Sequence, residues 1–111
     1  MMYKIKGSIW IEGEQGAFIG SGRVVLLENI KKSGSILQAA KSMKMSYRQA
    51  WELVDSMNKQ SKKPLVVKSS GGAGGGGTML TEDGERVIKL YKQLQNRFKK
   101  FNEAQSKKLM I

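Results

Sequence analysis

Arg48 and Gln49 are neighbouring side chains with the chemistry to read the edge of a nucleobase. A guanidinium pairs bidentately with guanine and a carboxamide with adenine, and each such pair is worth roughly 1–3 kcal/mol of discrimination. Both lie in a stretch where Tyr47, Ala50, Leu53, Val54 and Met57 follow helical apolar spacing. Assigning those five to the inner face leaves Ser46, Arg48, Gln49, Glu52 and Asp55 outward. Lys41, Lys44, Lys62, Lys63 and Lys68 surround this surface and suit phosphate contacts. Tyr47 and Trp51 suit either core or contact. Their residue types predict core, although a Tyr opening such a helix can reach a phosphate.

The bulk composition agrees with an acidic partner. Twenty Lys and Arg against nine Asp and Glu give a formal net charge of +11 over 111 residues, which points to nucleic acid or an anionic membrane. No apolar run approaches the roughly 18 residues of a membrane span, and the N-terminus lacks the apolar stretch of a signal peptide. A cytoplasmic chain with no membrane partner is expected. Cysteine and histidine are both absent, which excludes thiol and Ser-His-Asp chemistry. No metal site and no cofactor are expected. The acidic residues Glu28, Glu52 and Asp55, with Glu12 or Glu14, have no acid–base partner near them in sequence, so the chain is not expected to be an enzyme.

The elements that would position Arg48 and Gln49 follow from periodicity. Tyr3, Ile5, Ile9 and Ile11 alternate and predict a half-buried N-terminal strand, with Trp10 on its other face. Gly13, Gly16, Gly20 and Gly22 predict a flexible connection. From Arg23, the face Leu26, Leu27, Ile30 predicts a first helix that ends at Gly34. Ser35 can cap a second helix to about Lys41 with Ile36, Ala39, Ala40 and Met43 inward. Met43, Lys44 and Met45 form the turn, and Ser46 can cap a third helix to about Lys59. Pro64 ends the helical pattern. Two β-prone stretches, Leu65–Lys68 and Thr78–Leu80, predict a hairpin whose tip holds Gly71, Gly72, Gly74, Gly75, Gly76 and Gly77. Thr81 caps a last helix to about Ser106, with Glu82, Asp83 and Glu85 suiting its first turn.

Helix, short helix, tight turn, helix, hairpin is the layout of a winged helix-turn-helix, here spanning about 35–59 with a wing at about 65–80. The fold class is mainly α (α+β), in one domain over 1–111. In that motif the third helix enters the major groove with its first residues toward the bases. The alternative is a plain three-helix packing unit with a solvated basic face. Gly72, Gly74 and Gly77 formally match G-x-G-x-x-G, but a strand-like stretch follows where a dinucleotide site needs a helix. A wing whose small tip passes close to the DNA backbone is the better reading.

On the last helix, Val87, Tyr91, Leu94, Phe98 and Phe101 recur at steps of four and three, an a/d seam. Some 25 residues span roughly 37 Å, more than a domain of this size needs. Ile88 and Leu90 are therefore expected in the domain's own core. Tyr91, Leu94, Phe98 and Phe101 are expected at a homodimer interface about 81–106.

The residues also resemble a known family. Gly22-Arg23-Val24-Val25-Leu26-Leu27, Gly34-Ser35-Ile36 with Ala39-Ala40, Ser46-Tyr47-Arg48-Gln49-Ala50-Trp51, Met57-Asn58, the Gly71–Gly77 loop into Leu80-Thr81, and Gly84 and Arg86 to Leu90-Tyr91 carry the likeness. Together they resemble the N-terminal DNA-binding domain of the ModE family of molybdate-responsive transcription regulators, over nearly the whole chain. The helix-turn-helix alone is also similar to LysR regulators. The resemblance implies a dimeric winged-helix binder of double-stranded DNA, paired through its N-terminal strand and last helix, with a place in molybdenum homeostasis. Molybdate binding is not carried over, because that family holds the oxyanion in a separate C-terminal region. The expected alternatives are constitutive activity or a signal supplied by a separate effector-binding partner. Sequence-specific transcription regulation is the leading function, and a non-specific architectural DNA-binding protein the alternative. Arg48 and Gln49 separate the two, since an architectural protein needs only the lysines.

Overall fold

The computed structural model describes residues 2–69 and 77–111. Its elements run β1 (Ile11–Gly13), β2 (Gly16–Ile19), α1 (Ser21–Ser33), α2 (Ile36–Ser42), α3 (Tyr47–Gln60), β3 (Val66–Ser69), β4 (Gly77–Leu80) and α4 (Glu82–Ser106). The helix boundaries come from local chemistry. Gly34 closes α1 in the left-handed conformation (φ 71), donating its N–H to the Ile30 carbonyl at 2.7 Å. The side chains of Ser35, Ser46 and Thr81 accept from the N–H of Gln38, Gln49 and Gly84 and so open α2, α3 and α4. The acidic first turn of α4, Glu82, Asp83 and Glu85, complements its dipole.

The core lies between α1, α2, α3 and the start of α4. Leu26, Leu27 and Ile30 of α1 meet Ile36, Ala39 and Ala40 of α2 and Ala50, Val54 and Met57 of α3. Ile19, Leu65, Val66, Leu80, Ile88 and Tyr91 close it from the hairpins and α4. Two exposed ion pairs, Lys31–Glu85 at 2.8 Å and Lys92–Glu28, also link α1 to α4. Such pairs contribute roughly 0–1 kcal/mol each, so apolar burial carries the packing.

β3 and β4 pair antiparallel from Val66↔Leu80 to Ser69↔Gly77, and Thr78 donates its N–H to the Gly34 carbonyl at 2.9 Å. The hairpin is thereby anchored to the α1–α2 corner. β4 begins at Gly77, so a strand stands where a dinucleotide site needs a helix. Gly71, Gly72, Gly74, Gly75 and Gly76 lie outside the described residues, whereas Gly77 opens β4.

The N-terminal expectation is corrected. Residues 2–10 form no strand; β1 begins only at Ile11 and pairs with β2 around a tight turn at Glu14 and Gln15. Gly16 takes the positive φ (106) of that turn, and Gly22 lies inside α1 rather than in a connection. The alternating segment instead runs along α4. Tyr91 Oη donates to the Ile9 carbonyl at 2.8 Å, and Ile5 N–H donates to Ser106 Oγ at 2.7 Å. Backbone groups that would have sought a strand are partly satisfied by helix side chains.

The last helix matches its expected bounds, but its seam is rotated. Tyr91 is 1% exposed inside its own subunit, which removes it from any interface surface. Leu90, expected in the core, is 48% exposed. The helix packs Gly84, Ile88 and Tyr91 inward, so its outward apolar line is Leu90, Leu94 and Phe101. Phe98 is half-buried beside Gly7, where an added Cβ would lie 3.3 Å from the ring.

Candidate nucleic-acid interface

α3 presents its first half to solvent. Ala50, Val54 and Met57 are buried at spacings of four and three, and Leu53 is half-buried beside them. The opposite side carries Arg48, Glu52, Asp55 and Lys59, with Gln49 exposed at one flank and Trp51 at the other. The expectation that Tyr47 and Trp51 pack inward is corrected. Tyr47 is 52% and Trp51 49% exposed, on the side of α3 away from Ala50, Leu53 and Met57.

The turn before α3 is tight. Met45 N–H donates to the Ala40 carbonyl at 3.0 Å, and Lys44 takes a left-handed conformation (φ 55). A non-glycine residue there costs roughly 1–2 kcal/mol, so a charge is held at the turn at some expense of stability. Ser46 Oγ accepts from Gln49 N–H at 3.1 Å, which fixes where Arg48 and Gln49 leave the helix. Arg48 Nε donates to Glu52 Oε1 at 3.2 Å across one helical turn; both side chains stay largely exposed. The pair leaves the terminal nitrogens of Arg48 free for a bidentate acceptor.

Lys44, Ser46, Tyr47, Arg48, Gln49 and Glu52 are all exposed around the turn and the first half of α3, with Tyr47 and Gln49 on opposite flanks of Arg48. Lys62 and Lys63 do not join them: they are exposed past the far end of α3, roughly 20 Å along the axis from Arg48. Lys68 is exposed on β3, across from Thr78. Sequence reasoning missed Asn58, whose carboxamide accepts from Leu65 N–H at 2.8 Å and donates to the Val66 carbonyl at 2.9 Å. This contact joins α3 to the hairpin; in the sequence Asn58 stands out only through the family likeness of Met57-Asn58 and as a polar residue next to a buried one. Among the described residues no group of acidic side chains could hold a metal, and no helix is long and apolar enough to cross a membrane.

No family model matches the chain. It is 47% identical over 81 residues to the transcriptional regulator ModE of Haemophilus influenzae, covering 73% of this chain and 32% of that protein. The molybdenum transport protein ModE of Azotobacter vinelandii is 37% identical over 99 residues, 89% of this chain and 37% of its own length. The molybdenum-pterin-binding protein MopB of Rhodobacter capsulatus is 38% identical over 76 residues, 68% of this chain and 28% of its own. The chain thus spans about a third of the length of the curated relatives it matches. A solved LysR family transcriptional regulator superposes with a TM-score of 0.55 at 16% identity, covering 73% of this chain and 26% of that one, a likeness of fold. Three helices in helix-turn-helix order, a β3–β4 hairpin, a long α4 and these identities make the chain a ModE-like winged helix-turn-helix domain.

Proposed function

We propose that this domain binds double-stranded DNA sequence-specifically as the reading part of a transcription regulator, with α3 in the major groove. The observation that carries the reading is the exposed first half of α3, where Arg48, Gln49 and Glu52 project together from a capped helix that follows a tight turn. The net charge of +11 supplies sequence-independent attraction to the phosphates, with Lys44, Lys62, Lys63 and Lys68 as contacts. The relatives' names, transcriptional regulator and molybdenum transport protein, support a regulatory role within molybdenum homeostasis. A catalytic role finds no support in the acids, since Glu52, Asp55 and Glu28 are paired with Arg48, Lys59 and Lys92. We further propose a cytoplasmic homodimer joined along α4 by Leu94 and Phe101, with Leu90 in place of Tyr91, while Phe98 packs beside Gly7 of its own subunit. A two-fold axis there would set two copies of α3 about 34 Å apart, at successive major grooves.

The test is selection of bound duplexes from a random-sequence library by the purified protein. Enrichment of one motif, bound roughly 10^3-fold or more above a scrambled duplex, is expected. Equal retention of all sequences would instead favour the architectural alternative, which needs only the lysines.

A further inference from the structure

Tyr47 and Trp51 stand one helical turn apart on α3, 52% and 49% exposed, on the flank beside Arg48. Trp51 lies about 60° around the helix from Arg48. An aromatic side chain buries 150–250 Å² when covered, so this pair leaves a sizeable apolar strip open on a very basic protein. Neither side chain has a hydrogen bond among the described residues that would hold it in place for structural reasons. The strip lies on the surface already read as facing DNA, and charge argues for the same occupant. With a net charge of +11, the chain attracts a polyanion to whatever surface α3 presents.

In an intact duplex the base faces are stacked on one another and closed to a side chain. The apolar group that the major groove does display is the C5-methyl of thymine. We propose that Trp51, with Tyr47 beside it, packs against thymine methyl groups, so that the preferred site carries thymine next to the base pair read by Arg48. This rests on the reading of α3 as the helix in the groove. Trp51 would then determine specificity by apolar contact, in a place where hydrogen-bonding residues alone would suggest only Arg48 and Gln49.

The experiment uses the duplex recovered by the wild-type protein from a random library, with each thymine replaced in turn by deoxyuridine, which deletes only the methyl. At one or two positions beside the Arg48-dependent base pair, wild-type affinity is expected to fall about fourfold per methyl removed. Trp51→Ala should bind the thymine and uracil versions equally, and Trp51→Phe should retain part of the preference. Wild-type binding indifferent to methyl removal at every position overturns the proposal, as does an unchanged thymine-to-uracil ratio in Trp51→Ala. A library that yields no preferred sequence removes the groove-reading role of α3 and this contact with it. A preferred sequence with a thymine-to-uracil ratio of one removes the methyl contact alone. The wild-type comparison stands even if an alanine variant folds poorly.

Discussion

Asn58 grips Val66 through both of its backbone groups: Nδ2 donates to the Val66 carbonyl at 2.9 Å while Oδ1 accepts from Val66 N–H at 3.2 Å. The same oxygen accepts from Leu65 N–H at 2.8 Å. Thr81 holds the preceding step of this segment, since its hydroxyl donates to the Pro64 carbonyl at 2.7 Å and its N–H to Leu65 at 2.9 Å. The segment Pro64–Val66 is thus fixed by α3 on one side and by the cap of α4 on the other. Through this segment α3, which carries Arg48, is tied both to the hairpin and to the N-terminal cap of α4.

Asn58→Ala strips three backbone groups of their partner at once. At 0.5–1.5 kcal/mol per bond, and more where a donor is left buried, a loss of about 2–4 kcal/mol is expected. Asn58→Asp keeps the acceptor for both N–H groups but sets its second oxygen against the Val66 carbonyl, so it should recover only part of that loss. Urea unfolding of the two variants measures this, and a loss under about 0.5 kcal/mol for Asn58→Ala would show that the clamp is idle.

Gly84 sets two effects of opposite sign against one another. Alanine inside a helix is favoured over glycine by about 1 kcal/mol. At this position, however, an added Cβ would lie 2.5 Å from the Leu65 carbonyl oxygen and 2.6 Å from Leu80 Cδ1. The carbonyl belongs to the segment clamped by Asn58 and Thr81 and cannot easily move. Overpacking costs typically 1–3 kcal/mol, so Gly84→Ala should destabilise on balance. A raised melting temperature would mean that α4 is free to slide away from β3.

Arg48 and Lys62 should part company on different DNAs. Arg48→Ala is expected to weaken binding to the selected duplex by roughly 1–3 kcal/mol and relax preference at one base pair. Lys62, past the far end of α3, should on substitution by alanine weaken selected and scrambled duplexes about equally and lower the salt dependence. Affinities measured on both duplexes at two salt concentrations decide the matter. An unchanged specificity ratio in Arg48→Ala would remove Arg48 from the reading role.

What could be read in the sequence was what is encoded locally. Gly34, Ser35, Ser46 and Thr81 end or open helices through bonds within four residues, and each was legible. The alternation of Tyr3 to Ile11 predicts a strand but yields none before Ile11, because period two encodes an extended chain and not its partner; here the partner is α4 more than 80 residues away. The glycine-bounded turn at Glu14 and Gln15 was a hairpin signal hidden in what looked like a linker. Tyr47 fits the apolar spacing of α3, yet spacing does not say whether any other element covers that position. Trp51 lies off that spacing, and residue type alone points it to the core although it stands 49% exposed.

The dimer turns on the same ambiguity. A heptad pattern on α4 cannot tell a helix's own core from its partner, and burial of Tyr91 shifts the outward line to Leu90, Leu94 and Phe101. Leu90 and Phe101 are 48% and 60% exposed. Taking one such side chain fully out of water is worth roughly 1.5–3 kcal/mol, and a two-fold axis counts each residue twice. That gain must exceed an association cost of about 4–15 kcal/mol, which three apolar residues per subunit meet only if packed together near the axis. Leu90→Glu with Phe101→Glu places like charges along that line while leaving Phe98 on Gly7 and Tyr91 on Ile9. The variant should keep the wild-type melting behaviour of its core yet sediment as a monomer, and it should lose affinity for the selected duplex steeply because the second half-site no longer contributes. Sedimentation equilibrium at tens of micromolar decides between the states. A wild-type monomer would remove the pairing along α4 and the 34 Å spacing expected from it, while a variant that still dimerises would move the interface off this line.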